Sequence, residues 1–347
     1  MKRVTQTSSR KDDHIRVNLV NSVESGLTNG LEDYSFLHEA LPEVNLKDVD
    51  TSVKIFKKHL NAPLLISSMT GGTELSKNIN RNLAISAEEC KIAMGVGSQR
   101  AALENAKLKS TFNIREYAPK TLIFANIGAI QLNYGISIDD CQRIIDMVEA
   151  DGIILHLNPL QEAIQEGGNT NFCGLGRIIE SVCRNIKIPV IAKEVGWGIS
   201  ERTAKLLVDC GVDAIDVAGA GGTSWSQVEM HVTHDQERKN LAAMFKNWGI
   251  TTANSILNIR NISPTMMIIA SGGLRNGLDM TKCFSLGAKL AGAAGIFLSP
   301  ATKGPEQVVQ VINQLIKQIR TTMFITGSQK ISDLEGLLVK NLNISND

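Results

Sequence analysis

Eight short apolar runs, returning at a steady interval, constrain the fold of this chain more than any other feature. They fall at 63–68, 92–96, 121–125, 152–156, 188–193, 214–217, 266–271 and 290–294. Their starts usually lie some 20 to 35 residues apart, with one much longer interval after Val217. A short apolar run bounded by polar residues reads as a strand buried on both faces. Between most of them lie helix-like segments at 78–91, 138–149, 174–184, 200–210 and 278–286. Strand, helix and strand at this spacing is the βαβ unit, and eight units in a row predict an α/β fold closed into a (β/α)8 TIM barrel. A doubly wound open sheet is the alternative. About sixty residues precede the first strand, as an N-terminal extension that caps the bottom of the barrel or folds over its top. The segment 219–264 forms a long insertion after strand six; its charged stretch with Asp235, Glu237, Arg238 and Lys239 reads as a solvated helix face. A closing helix is predicted at 306–320, followed by a tail at 321–347, and no linker divides the chain, so residues 1–347 are read as a single barrel domain.

Composition narrows the function. Hydrophobic residues make up 43% and aromatics only 4%, so the core must be aliphatic, which suits a small parallel barrel. Lys plus Arg number 36 against 35 for Asp plus Glu, a net charge of +1, so no long-range field invites nucleic acid or an anionic membrane. Anion binding must come from a local pocket. The six cysteines form no Cys-x-x-Cys pair and no zinc spacing. Scattered thiols, a polar N-terminus and no membrane-length apolar run give the expectation of a soluble cytoplasmic protein.

In a parallel barrel, chemistry sits where the strands end. After the fourth run comes His156-Leu157-Asn158-Pro159-Leu160-Gln161-Glu162. Its three neutral hydrogen-bonding groups and one carboxylate suit a polar, anionic, metal-assisted ligand. One Glu is too little for an all-protein cage but enough for Mg²⁺ completed by substrate phosphate and water. The plainer alternative is a capped loop whose polar groups serve only the backbone. Gly-rich stretches follow strands six (219–222), seven (272–273) and eight (292–295), where barrels usually hold phosphate. Lys193 ends the fifth strand and must be paired or deprotonated. It could form a Schiff base, hold negative charge on a cofactor ring, or make an internal ion pair with Glu194 or Asp216. Arg10-Lys11-Asp12-Asp13-His14 could clamp a diphosphate or belong to a solvated tail.

Taken together and in order, these stretches resemble the type 2 isopentenyl-diphosphate isomerases. The resemblance spans nearly the whole chain: 10–14 (RKDDH), 30–42 (GLEDYSFLHEALP), 67–72 (SSMTGG), 95–100 (GVGSQR), 125–128 (ANIG), 156–162 (HLNPLQE), 193–198 (KEVGWG), 219–225 (GAGGTSW), 271–279 (SGGLRNGLD) and 323–328 (MFITGS). It implies an FMN-dependent barrel that interconverts isopentenyl and dimethylallyl diphosphates in isoprenoid biosynthesis, with Mg²⁺ and with the flavin reduced by NADPH or NADH. It also implies a homo-oligomer, tetramer or octamer. By motif, FMN is implied to contact Ser68, Met69, Thr70, Ser98, Asn126, Lys193, Thr223, Gly273, Arg275, Ala294 and Gly295. The diphosphate is implied to meet Arg10, Lys11, Ser98, Gln99, Arg100, His156 and Gln161, with Mg²⁺ on Glu162. Lys193, Gln161 and His156 are the implied catalytic set, His156 preferring its protonated form beside bound diphosphate, and Arg10 and Lys11 ordering only when it binds. The sequence departs from the common pattern at 292–297 (GAAGIF), which lacks an Ala-Arg-Pro-type stretch, and at Trp197. The rival reading is a net redox FMN enzyme on the same barrel, of the hydroxy-acid oxidase or inosinate dehydrogenase type. The first wants a His base after strand seven and the second a Cys in the sixth loop, where Thr223 and Ser224 stand instead.

Overall fold

The computed structural model describes residues 2–341, with side chains from Lys11 onward. Eight parallel strands close into a barrel: Leu64–Ile66, Ala93–Gly95, Ile123–Gly128, Gly152–His156, Val190–Lys193, Ala214–Asp216, Met267–Ser271 and Leu290–Ala293. Each falls inside or against a predicted run. Closure is carried by strand eight on strand one, with Ala291 opposite Leu64, Gly292 opposite Leu65 and Ala293 opposite Ile66. That pairing excludes the open sheet.

The pleat explains where the site lies. Leu65, Ala93, Phe124, Ile154, Ile191, Ala214, Ile269 and Leu290, one from each strand, form an apolar cluster inside the barrel. Side chains alternate with period two, so the residues two positions on also face inward. These are Ser67, Gly95, Asn126, His156, Lys193, Asp216, Ser271 and Gly292. The barrel thus changes from oil to polar groups within one pleat, at its C-terminal mouth.

The N-terminal extension does both things open to it. A hairpin of Val53–Ile55 and Lys58–Leu60 plugs the bottom, and Ile55 and Leu60 join the inner apolar cluster. Its turn residues Phe56 and Lys57 have φ of 43° and 70°, the backbone a tight two-residue hairpin demands. The Phe56 ring meets Phe124 edge-on at 6.1 Å, so apolar contact offsets that conformation. The helix Lys2–Val20 lies instead over the mouth.

The insertion after strand six carries the helices Trp225–Val232 and Gln236–Met244 before the crossover helix Thr252–Ile262. The second is capped by Asp235, which accepts from the N–H groups of Glu237 and Arg238, and most of its length is exposed, as its charge predicts. The helix predicted at 306–320 runs from Pro305 to Ile325, because Leu315, Ile319 and Met323 continue the buried stripe at i+4. Beyond it Leu338–Lys340 pairs antiparallel with Tyr34–Phe36. All six cysteines are free thiols.

Candidate active site

A cleft of about 760 Å³ opens over the polar layer. On its floor, Lys193 stands between His156 and Asp216 in register. Its Nζ donates to the Glu194 carbonyl at 2.8 Å and lies 3.9 Å from Asp216 Oδ2. Asp216 is wholly buried, and its Oδ1 accepts from Ser271 Oγ at 2.5 Å. Burial raises the Asp216 carboxyl, and Lys193 pulls it back down. The internal partner of Lys193 is therefore Asp216. The Glu194 carboxylate turns onto its own loop and accepts the N–H groups of Val195, Gly196 and Trp197 at 2.5–2.6 Å. Trp197 is buried in that loop and takes no part in lining the cleft.

His156 Nδ1 meets Asn126 Oδ1 at 2.8 Å. Burial, then the charges of Lys193 and Lys11, push its pKa down to about 4, so the imidazole is neutral in the open cleft. The expected protonated form thus needs a bound anion to raise it. Because the folded value lies below the ordinary 6.5, the stability tied to neutral His156 is present above that value and lost as pH falls toward 4. We expect His156→Gln to flatten the acid side of the melting-temperature profile over this window. An unchanged profile would show that His156 is not held neutral.

The phosphate end is built by backbone. A Cβ on Gly222 would sit 2.5 Å from Gly273 N, and one on Gly273 would sit 2.4 Å from Gly221 O. The loops after strands six and seven therefore interlock with no room for side chains, which brings their N–H groups to the cleft. Gly295 opens the nine-residue helix Gly295–Lys303, with nothing within 4 Å of the position its Cβ would take. Unsatisfied N–H groups at that terminus and the glycine loops suit an anionic phosphate, so this donor set fits the phosphate of a flavin mononucleotide.

Across the mouth, the lid helix is already seated. Lys11 Nζ donates to Gly71 O at 2.7 Å and Ser98 O at 3.2 Å, and burial lowers its pKa to about 8. Two backbone carbonyls thus satisfy Lys11 in this structure. The Arg10 side chain lies outside the described residues. The lid's exit is stitched to the sixth loop: Ser25 N donates to Gly222 O and Ser224 N to Val23 O, both at 2.8 Å. Arg275 pairs with Glu24 at 2.7 Å.

Beside His156 lies a second polar cluster. Asn158 Nδ2 donates to Gln161 Oε1 at 3.2 Å and to Glu162 Oε1 at 3.0 Å, while Gln161 Nε2 donates to Glu229 Oε1 at 3.0 Å. His14 Nε2 stands 3.3 Å from the same Glu229 oxygen. Glu162 also accepts from Asn169 N at 2.6 Å and from Gln165. Among the described residues no three His, Cys, Asp or Glu gather as a metal cage. A hard cation here would take Glu162, amide oxygens and outside ligands. The buried Asn158 Oδ1, with no hydrogen-bond partner, makes the donor set fit Mg²⁺.

Of the residues singled out from sequence, the cleft gathers Lys11, Ser68, Met69, Thr70, Ser98, Asn126, His156, Gln161, Lys193, Thr223, Gly273, Arg275, Ala294 and Gly295. Glu162 lies one step behind Gln161, outside the lining. Gln99 does not face the cleft. It is fully buried, its Oε1 accepting from Asn126 N at 3.0 Å and its Nε2 donating to Ile144 O at 2.9 Å, so it ties strand three to an outer helix. Arg100 is also outside, paired with Glu104 at 2.8 Å. Sequence reasoning missed Glu229 and Trp225, which share one face of the Trp225–Val232 helix at i+4. A lone carboxylate in an insertion gives no signal until the loop folds back. His14 was seen only within its basic cluster; its ring meets Trp225 edge-on at 5.2 Å.

Comparison with known proteins places this geometry. A family model described as FMN-dependent dehydrogenase matches residues 175–341. A curated protein of Nostoc sp., named isopentenyl-diphosphate delta-isomerase, is 50% identical over 331 residues, covering 95% of each chain. Proteins of the same name from Rickettsia bellii and Oceanobacillus iheyensis are each 46% identical, over 94% of this chain and 95% and 94% of their own. Among solved structures, a flavocytochrome b2 variant with sulfite bound overlays with a TM-score of 0.68 at 19% identity, covering 99% of this chain and 87% of its own. A mandelate oxidase variant overlays at 0.63 with 16% identity, over 96% and 92%. These two likenesses are of fold.

Proposed function

The chain belongs to the isopentenyl-diphosphate delta-isomerase family, and from that premise we propose that it interconverts isopentenyl and dimethylallyl diphosphates. The observation that carries this reading is one cleft lined by the glycine loops, by Lys11 of the lid helix, by Gln161 and by Lys193. The double-bond shift adds a proton at one carbon and removes another from the allylic position. Bound and reduced, FMN would supply a proton-transfer group over the alkene.

The chain's own groups do the rest. The glycine loops, with Ser68, Met69, Thr70, Ser98, Asn126, Thr223, Arg275, Ala294 and Gly295, would hold FMN. Lys193 would stabilise negative charge on its ring. Lys11, Ser98, His156 and Gln161, with Arg10 and Arg100, would bind the diphosphate, and Glu162 beside Gln161 would hold Mg²⁺. Seating the lid excludes water and fixes the alkene. NADPH or NADH would keep the flavin reduced. We extend the reading to one barrel domain acting as a homo-oligomer of four or eight copies in the cytoplasm, in isoprenoid biosynthesis. No helix among the described residues is long and apolar enough to cross a membrane.

The test is anaerobic incubation with FMN, NADPH, Mg²⁺ and isopentenyl diphosphate. Dimethylallyl diphosphate in large excess over NADPH consumed supports a redox-neutral isomerase; no dimethylallyl diphosphate with the flavin fully reduced overturns the substrate. Glu162→Gln should raise the Mg²⁺ concentration needed for half activity at least tenfold and lower turnover by on the order of 10²-fold, since the amide places an N–H₂ where a cation needs oxygen. Unaltered Mg²⁺ dependence would remove Glu162 from the role.

A further inference from the structure

The function above uses Lys193 and leaves Asp216 unexplained. Asp216 is fully buried beneath the cleft and does not line it. It lies opposite Lys193 in the ladder, with its Oδ2 3.9 Å from Lys193 Nζ and without a hydrogen bond. Its other oxygen is fixed by the Ser271 hydroxyl at 2.5 Å and by Ala218 N at 3.3 Å. A carboxylate taken wholly out of water is costly, and a barrel floor is more readily filled by an aliphatic residue. Ala218, the next turn, adopts a φ of 34°, so the backbone is bent to bring its N–H to this carboxylate.

We propose that Asp216 is a positioning residue for the isomerase: it keeps Lys193 charged and aimed at the cleft, so that a reduced flavin ring meets a standing positive charge. The inference rests on the reading that places the ring against Lys193. The charged and titratable groups facing Lys193 are Asp216 on strand six, His156 on strand four and the neighbouring Glu194; Lys11 approaches His156 from the lid. Among the described residues, only Asp216 offers Lys193 an anion from the wall, because the Glu194 carboxylate is occupied by its own loop. With Asp216 ionised, two electrons and one proton from solvent convert the oxidised ring to its reduced anion, and Lys193 neither gains nor loses a proton.

Asp216→Asn keeps the shape and the acceptor for Ser271 but removes the charge. Lys193 then gives up its proton in the oxidised holoenzyme and regains it when the ring becomes anionic. Two protons now accompany two electrons. Each added proton makes the reduction equilibrium tenfold more sensitive per pH unit, which for two electrons is about 30 mV.

The experiment is the FMN midpoint potential of the holoenzyme, poised with dithionite and indicator dyes, from about pH 7 to 9, where an unperturbed Lys stays charged. The wild type is expected to fall by about 30 mV per pH unit and Asp216→Asn by about 59 mV, with the Lys193→Met/Asp216→Asn double variant back at the shallow slope. A purely structural role would change FMN affinity and leave the proton count alone. An Asp216→Asn slope equal to wild type, with Lys193→Met displaced in potential, overturns the proposal while leaving the functional reading intact. A Lys193→Met potential that does not move overturns both. If Asp216→Asn takes up no FMN, Ser271→Ala decides: it keeps both charges but frees the carboxylate, so the slope stays shallow while the potential moves, and an unchanged potential there overturns the proposal.

Discussion

Lys193→Ala is expected to lower turnover by on the order of 10³-fold, as loss of a preorganised charge against a developing anion typically does. It should also destabilise the fold by about 3–5 kcal/mol, because a wholly buried Asp216 loses its paired cation. The second effect has a pH signature. Burial already raises Asp216, and Lys193 is the largest influence holding it down. Without Lys193 its folded value rises further above the unfolded one, so the stability is kept at low pH and lost as pH climbs toward the folded value. The melting-temperature gap between variant and wild type should widen from pH 5 to pH 8. A gap independent of pH, with normal flavin occupancy and turnover, would mean that Lys193 neither pairs with Asp216 nor serves the cofactor.

Gly272→Ala is expected to cost roughly 3 kcal/mol and most of the FMN occupancy. Gly272 has a φ of +104°, and its added Cβ would lie 2.1 Å from Gly219 O and 2.5 Å from Gly219 N. Positive φ in a non-glycine residue costs about 1–3 kcal/mol, and overpacking adds a similar amount. Neither obstacle is a flexible side-chain tip; the sixth and seventh loops must part, and those loops are the proposed phosphate cradle. Urea unfolding midpoints and the flavin-to-protein ratio after desalting measure the two effects. A destabilised variant that still retains its flavin would place the cofactor phosphate elsewhere.

The barrel was readable in the sequence because parallel strands are buried on both faces and so appear as unbroken apolar runs. The polar layer was also readable, since His156, Lys193 and Ser271 end those runs and Asn126 directly follows one. What periodicity could not supply was direction beyond the strand. Gln99 and Ser98 are adjacent, yet Ser98 lines the cleft while Gln99 is folded into the wall, because the chain turns between them. Glu229 was hidden for a different reason: its place depends on an inserted helix folding back onto Gln161, a contact 68 residues apart that no local pattern encodes. The lid was visible as a basic cluster, but not its seating, which uses the carbonyls of Gly71 and Ser98 for Lys11 and the distant side chains of Glu229 and Trp225 for His14.

Closure of strand eight onto strand one has a consequence for how the protein is made. The two strands are joined only after Leu290–Ala293 leaves the ribosome, more than two hundred residues after Leu64–Ile66. At about 5–20 residues per second, the first strand waits on the order of ten seconds or more with one ladder edge open. The proposed cofactor cradle, which includes Gly295 after strand eight, cannot be complete before that moment. Nascent chains of this protein therefore carry an exposed parallel edge throughout synthesis, and their yield depends on how well that edge is shielded until the last strand arrives.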